Sequence, residues 1–169
     1  VQKELSTGNI HEYRLLHDQG QLISVTVEQQ GIDVELILED ETGTQLTEMN
    51  RWDSTLGVEP LVWIAKHPGQ YRLKVKAVSP TGVEGKYSLK LVEVRAATES
   101  DSDHVNAQQL FLEASQYQNQ ETDSALRKAI ETYQASLPLW RKLGDRQWEG
   151  ITQTLIGWLL QDTGQIPLA

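Results

Sequence analysis

Apolar residues recur at two different periods along this chain, and the change between them divides it. Up to residue 95 they alternate with polar ones: Tyr13 and Leu15 with Glu12 and Arg14, then Ile23, Val25 and Val27 with Ser24, Thr26 and Glu28. The same holds for Val34, Leu36 and Leu38, for Tyr71, Leu73 and Val75, and for Tyr87, Leu89 and Leu91. Successive side chains of a strand point to opposite faces, so each run has one dry and one wet face. Further on, Leu110, Ala114 and Tyr117, and then Leu126, Ile130, Tyr133, Leu137 and Trp140, recur at spacings of three and four, the signature of amphipathic helices. The chain is therefore expected to be multidomain, β then α. Residues 1–95 form an antiparallel sandwich of seven or eight strands, 96–106 a linker and 107–169 helices.

The punctuation agrees with this division. Eight of the 12 glycines lie in residues 1–95, several in turn sequences such as Asp18-Gln19-Gly20, Gln30-Gly31, Pro68-Gly69 and Pro80-Thr81-Gly82. Leu61 to Ala65 is apolar throughout and suits a strand covered on both faces, with Trp63 in the core. Residues 96–106 gather Ser and Asp, and Ser102 or Asp103 is expected to cap the helix that follows. Pro138 interrupts the second stripe. An interior proline costs about 3 kcal/mol, so that helix should kink or end near Leu137. Leu143-Gly144-Asp145 reads as a stop followed by a new cap, opening a third helix with Trp148, Ile151, Leu155, Ile156, Leu159 and Leu160.

Charge and motif content exclude several function classes. The net charge is −9, with 10 basic against 14 acidic residues up to residue 95 and 5 against 10 beyond it. Neither part offers the basic footprint of a phosphate-backbone binder, so no nucleic-acid partner is expected. With no Cys there is no disulfide framework, thiolate zinc site or cysteine nucleophile. No apolar run reaches the ~20 residues of a membrane span. The first residue is Val1, which fits a processed or excised chain. His11, His17, His67 and His104 are scattered without metal-ligand spacing and read as surface or strand-end residues. Glu39-Asp40-Glu41 lacks the spaced carboxylates of a calcium loop and reads as a solvated turn before Thr42-Gly43. No cofactor, metal or catalytic residue is expected.

The helical part carries an internal repeat. Ile156-Gly157-x-x-Leu160 has the apolar-Gly pattern of a first repeat helix, and Ala129-x-x-x-Tyr133 the small-then-aromatic pattern of a second. With Leu139 to Arg146 between them, they resemble tetratricopeptide repeats of a longer variant. The first part resembles the pre-peptidase C-terminal type of β-sandwich, through His11-x-Tyr13-x-Leu15, Gly20-Gln21, Gln30-Gly31-Ile32-Asp33-Val34, Thr42-Gly43, Gly69-Gln70-Tyr71-Arg72-Leu73 and Gly85-Lys86-Tyr87-x-Leu89. In order, these parts are similar to bacterial multidomain proteins, many of which end in a CHAT domain, a caspase-like cysteine peptidase. Gln153 and the long loop from Asn119 to Asp123 depart from the repeat pattern, and no Cys is present for a CHAT dyad.

The resemblance implies a jelly-roll-like sandwich followed by about one and a half tetratricopeptide-type hairpins. The expected function is a non-catalytic interaction scaffold that binds protein or peptide through the inner face of the repeats, where Thr154, Trp158, Gln161 and Asp162 would fall. Leu155, Leu159 and Trp158 lack a following helix and are expected to seek cover, either on the sandwich or in a homodimer. The alternatives are a carbohydrate- or wall-binding sandwich, with Trp52 as its contact, and an accessory region of a CHAT-type peptidase. Family habit and the absent Cys suggest an extracytoplasmic location.

Overall fold

The computed structural model of the protein describes residues 1–50 and 55–164. The chain divides between Ala97 and Thr98 into two compact units. The first holds eight strands: β1 (Gln2–Ser6), β2 (Ile10–His17), β3 (Gln21–Gln30), β4 (Val34–Glu39), β5 (Gln45–Met49), β6 (Leu56–Ile64), β7 (Gly69–Ala77) and β8 (Glu84–Ala96). They form two antiparallel four-stranded sheets, ordered β1-β8-β3-β6 and β2-β7-β4-β5. The pairs β1 with β8, β2 with β7, β3 with β6 and β4 with β5 are those of one long hairpin whose tip is β4–β5. Rolling that hairpin adds the pairs β3 with β8 and β4 with β7, which is the arrangement of a jelly roll.

The alternating residues meet between the sheets. Ile23, Val25 and Val27 of β3, Leu61 and Trp63 of β6 and Tyr87 of β8 are buried, as are Leu36 and Leu38 of β4 and Tyr71, Leu73 and Val75 of β7. Each fully buried side chain of this size contributes about 1.5–3 kcal/mol. Trp63 belongs to the core, as the apolar run around it suggests. Two hydroxyls bridge the layers: Tyr87 meets Tyr13 at 2.6 Å, and His11 Nδ1 lies 2.7 Å from the Tyr87 hydroxyl.

The corner where β3 hands over to β4 has the most demanding geometry. Gln29 is buried there and its Oε1 accepts the Val34 amide at 2.9 Å, while the buried Ser79 hydroxyl accepts the Asp33 amide at 2.8 Å. β8 runs directly beneath. A Cβ on Gly85 would lie 2.7 Å from the Gln30 carbonyl and 2.7 Å from Cβ of Ile32.

The second unit consists of α1 (Glu99–Gln118), α2 (Asp123–Leu143) and α3 (Arg146–Asp162). Helix starts before residue 107, so most of the expected 96–106 linker is helical. The cap is Thr98 rather than Ser102 or Asp103, because Thr98-x-x-Asp101 forms a capping box: the Asp101 amide donates to the Thr98 hydroxyl, and the Thr98 amide donates to the Asp101 carboxylate at 2.7 Å. The acidic residues around it favour the positive end of the helix.

α2 does not end near Leu137. It continues through Pro138 to Leu143 and closes on Gly144, which takes the left-handed conformation at φ 70°. Its final turns are held by packing. Trp140 is completely buried and stacks on Trp148 of α3 at 5.3 Å, and Phe111 of α1 meets both Trp148 (4.8 Å) and Tyr133 of α2 (5.2 Å). Burial of that cluster outweighs the ~3 kcal/mol proline penalty. Ala107, Ala114 and Ala129 are fully buried, as close helix approach requires.

Gly85→Ala should destabilise the protein by about 1–3 kcal/mol in chemical denaturation, because the backbone corner opposite cannot retreat. Pro138→Ala, at an exposed position of a continuous helix, should stabilise it by about 1–3 kcal/mol; an unchanged denaturation midpoint would contradict the penalty assigned to this proline.

Candidate functional site

α3 begins at its N-cap Asp145, whose carboxylate accepts the Trp148 amide at 3.0 Å. Trp148, Thr152, Leu155, Ile156 and Leu159 form its buried side. That burial turns the other side outward: Thr154, Trp158, Gln161 and Asp162 are all exposed and, at spacings of four, three and one, share one face. The four residues expected at the binding face are thus brought together. Leu155 and Leu159 have found cover, whereas Trp158 is 50% exposed.

Small residues flank this face. Nothing lies within 4 Å of a would-be Cβ on Gly150 or Gly157. Glycine in a helix interior costs about 1 kcal/mol relative to alanine, and neither position returns that cost through internal packing. The Thr154 hydroxyl bonds back to the Gly150 carbonyl at 2.9 Å, so the polar groups directed outward are Gln161 and Asp162. They stand on the last turn, at the negative end of the helix dipole, and that turn has no basic residue. The face combines an aromatic surface with a negative potential.

The sandwich offers a cleft of about 350 Å³ between the β4–β5 and β6–β7 connections, lined by Glu41, Trp63, Lys66, His67, Gln70 and Tyr71 among others. Its aromatic rings are closed to stacking. Trp63 and Tyr71 are only 3% and 5% exposed, the Lys66 ammonium lies 5.2 Å above the Trp63 ring, and the Tyr71 hydroxyl donates to the His67 carbonyl at 2.7 Å. Trp52, the expected glycan contact, lies outside the described residues.

The acidic run beside this cleft is structural. Asp40 Oδ1 accepts the Thr42 hydroxyl at 2.6 Å and the Thr42 and Thr44 amides at 2.9 Å each. These bonds, that of the Thr42 hydroxyl foremost, hold the Asp40 carboxyl below its ordinary range. Glu39 is occupied by Lys74 at 2.5 Å and Arg72 at 3.6 Å. Among the described residues no cluster of three or more His, Cys, Asp or Glu is placed to hold a metal ion, and no helix is long and apolar enough to cross a membrane.

His17 ends β2, as a strand-end reading expects, yet its side chain is buried, and His104 departs from both readings by lying within α1. His17 is buried edge-on to Tyr71, and His104 packs against the Trp140 ring at 5.6 Å. The sequence signal was present, since His17 continues the alternation of Tyr13 and Leu15, and His104 lies three and seven residues before Ala107 and Phe111.

No known family model matches this chain, and no curated protein matches it. Among solved structures it is similar to the pre-peptidase C-terminal domain of a collagenase from Bacillus anthracis, with 19% identity over 53% of this chain and 86% of that one and a TM-score of 0.42.

Burial lowers the proton affinity of both His17 and His104 from the ordinary value of 6.5. The unfolded chain then binds more protons than the folded one below that value. Stability present above pH 6.5 should fall as the pH is lowered towards 5. Denaturation midpoints between pH 8 and 5 should show this slope, and His104→Gln should flatten it.

Proposed function

We propose that the chain is a non-catalytic interaction module in which a β-sandwich carries tetratricopeptide-type helices, and the exposed face of α3 binds a protein or peptide segment. The observation that carries this reading is the exposure of Trp158. Phe111, Tyr133, Trp140 and Trp148 are all buried in the helical unit, and Trp158 alone among its large aromatic side chains is half open to solvent. Half-exposed tryptophans beside small residues make effective anchors, because a partner can approach the backbone and desolvate the ring. Gln161, Asp162 and the helix end favour a partner that brings a cation to the ring, where Lys or Arg gains both from the π face and from the negative potential.

The resemblance to bacterial multidomain proteins extends the reading to an extracytoplasmic protein of that kind, with this module accessory to a CHAT-type peptidase. Fully buried alanines at the helix crossings support the repeat assignment.

Selection from a random peptide library on the chain should enrich Lys- or Arg-containing sequences. Trp158→Ala should weaken the binding of those peptides at least roughly tenfold without changing the thermal midpoint. Peptides that bind wild type and variant equally would overturn the assignment of the face.

A further inference from the structure

In the sheet ordered β2-β7-β4-β5, β2 pairs with β7 from Ile10 to His17, and no strand among the described residues lies on its other side. The roll itself leaves this edge: β1 and β3, the strands before and after β2 in the chain, both belong to the opposite sheet. The direction of the free backbone groups follows from the ladder. The Asn9 carbonyl accepts the Ala77 amide at 3.2 Å, so bonding to β7 falls on His11, Tyr13 and Leu15 as well. Ile10, Glu12, Arg14 and Leu16 then present their amides and carbonyls to the open side.

The same four residues carry their side chains on the solvated face. All are exposed, Ile10 at 51% and Leu16 at 80%, whereas His11 and Tyr13 turn inward to the Tyr87 hydroxyl. Arg72, Lys74 and Lys76 of β7 each have a carboxylate partner on β4, but Glu12 and Arg14 form no ion pair among the described residues. Arg14 stands directly across from Arg72, a like-charge opposition that a further carboxylate would relieve. An exposed edge with apolar side chains is a template for another strand.

We propose that this edge pairs with the same edge of a second copy of the chain, antiparallel and two-fold symmetric about Tyr13. The order apolar, acidic, basic, apolar in Ile10, Glu12, Arg14 and Leu16 is its own complement when reversed, and that selects the occupant. Backbone groups of two such edges meet only when one of these four residues opposes another of them. A centre on Glu12 sets Glu12 against Glu12 of the second copy, and a centre on Arg14 sets Arg14 against its own equivalent. Both place like charges directly across the strands and leave part of the edge unbonded. About Tyr13, Glu12 opposes Arg14 of the second copy, Arg14 opposes its Glu12, and Ile10 opposes Leu16 at either end, so all four residues are engaged. Self-complementarity about one residue is what a two-fold interface requires.

Sedimentation of the 169-residue chain over about 5–500 µM should show a dimer that weakens with added salt. At the upper end of that range the Glu12 and Arg14 amides should exchange with solvent roughly tenfold more slowly than at the lower end. Arg14→Glu relieves the opposition to Arg72 within the sheet, so it should keep the thermal midpoint while weakening association roughly tenfold; Glu12→Lys should weaken association by a similar factor. A mixture of these two folded variants sets opposite charges across the edge again and should recover the dimer. The proposal is overturned by a wild-type chain that stays monomeric across the range, or by a dimer in which the Glu12 and Arg14 amides exchange as fast as in the monomer. It is equally overturned by a folded Arg14→Glu chain that associates like wild type, or by a mixture of the folded variants that does not recover.

Discussion

Everything in the sandwich depends on the corner between β3 and β4. The rolled hairpin needs the chain to leave one sheet at Gln30 and enter the other at Val34 within a few residues, and such a crossing strips backbone groups of their ladder partners inside a dry core. Gln29 and Ser79 replace those partners, and Gly85 lets β8 pass without a side chain in between. With the corner fixed, the faces of β3 and β4 are fixed as well, because a shift of one residue would turn every apolar side chain of either strand into solvent.

The helical unit solves a different problem with the same economy. The buried alanines bring its three helices close enough for Phe111, Tyr133, Trp140 and Trp148 to share one aromatic cluster. Tyr133, its hydroxyl pushed by burial up to about 12, reaches the Gln118 side chain at 3.2 Å and keeps a hydrogen bond within that cluster. The same concentration of aromatics explains why a helix containing Pro138 runs to its full length.

What could be read from the sequence followed the strength of each segment's burial. β3, β4, β7 and the first part of β8 bury one face along several turns of the pleat, so their alternation was plain. β1 and β5 are edge strands with few buried side chains, Leu5 in the one and Thr47 and Met49 in the other, and no period can be read from so little. The start of α1 is hidden because Ser and Asp are as common in linkers as in first turns; the capping box from Thr98 to Asp101 is the signal that separates the two. For the candidate site, helical spacing placed Thr154, Trp158, Gln161 and Asp162 on one face, and nothing in the spacing indicated which aromatic would stay in water.

The pairing of the first strand with the last has a consequence for how this protein is made. β1 cannot find its place until β8, more than 80 residues later, has left the ribosome, so the sandwich cannot close during most of its own synthesis. Its contacts are long in sequence and slow to form, whereas those of the three helices are local and fast. Translation therefore presents an open β-sheet with bare edges for several seconds before the helices emerge, and any chaperone that attends this chain meets it in that interval.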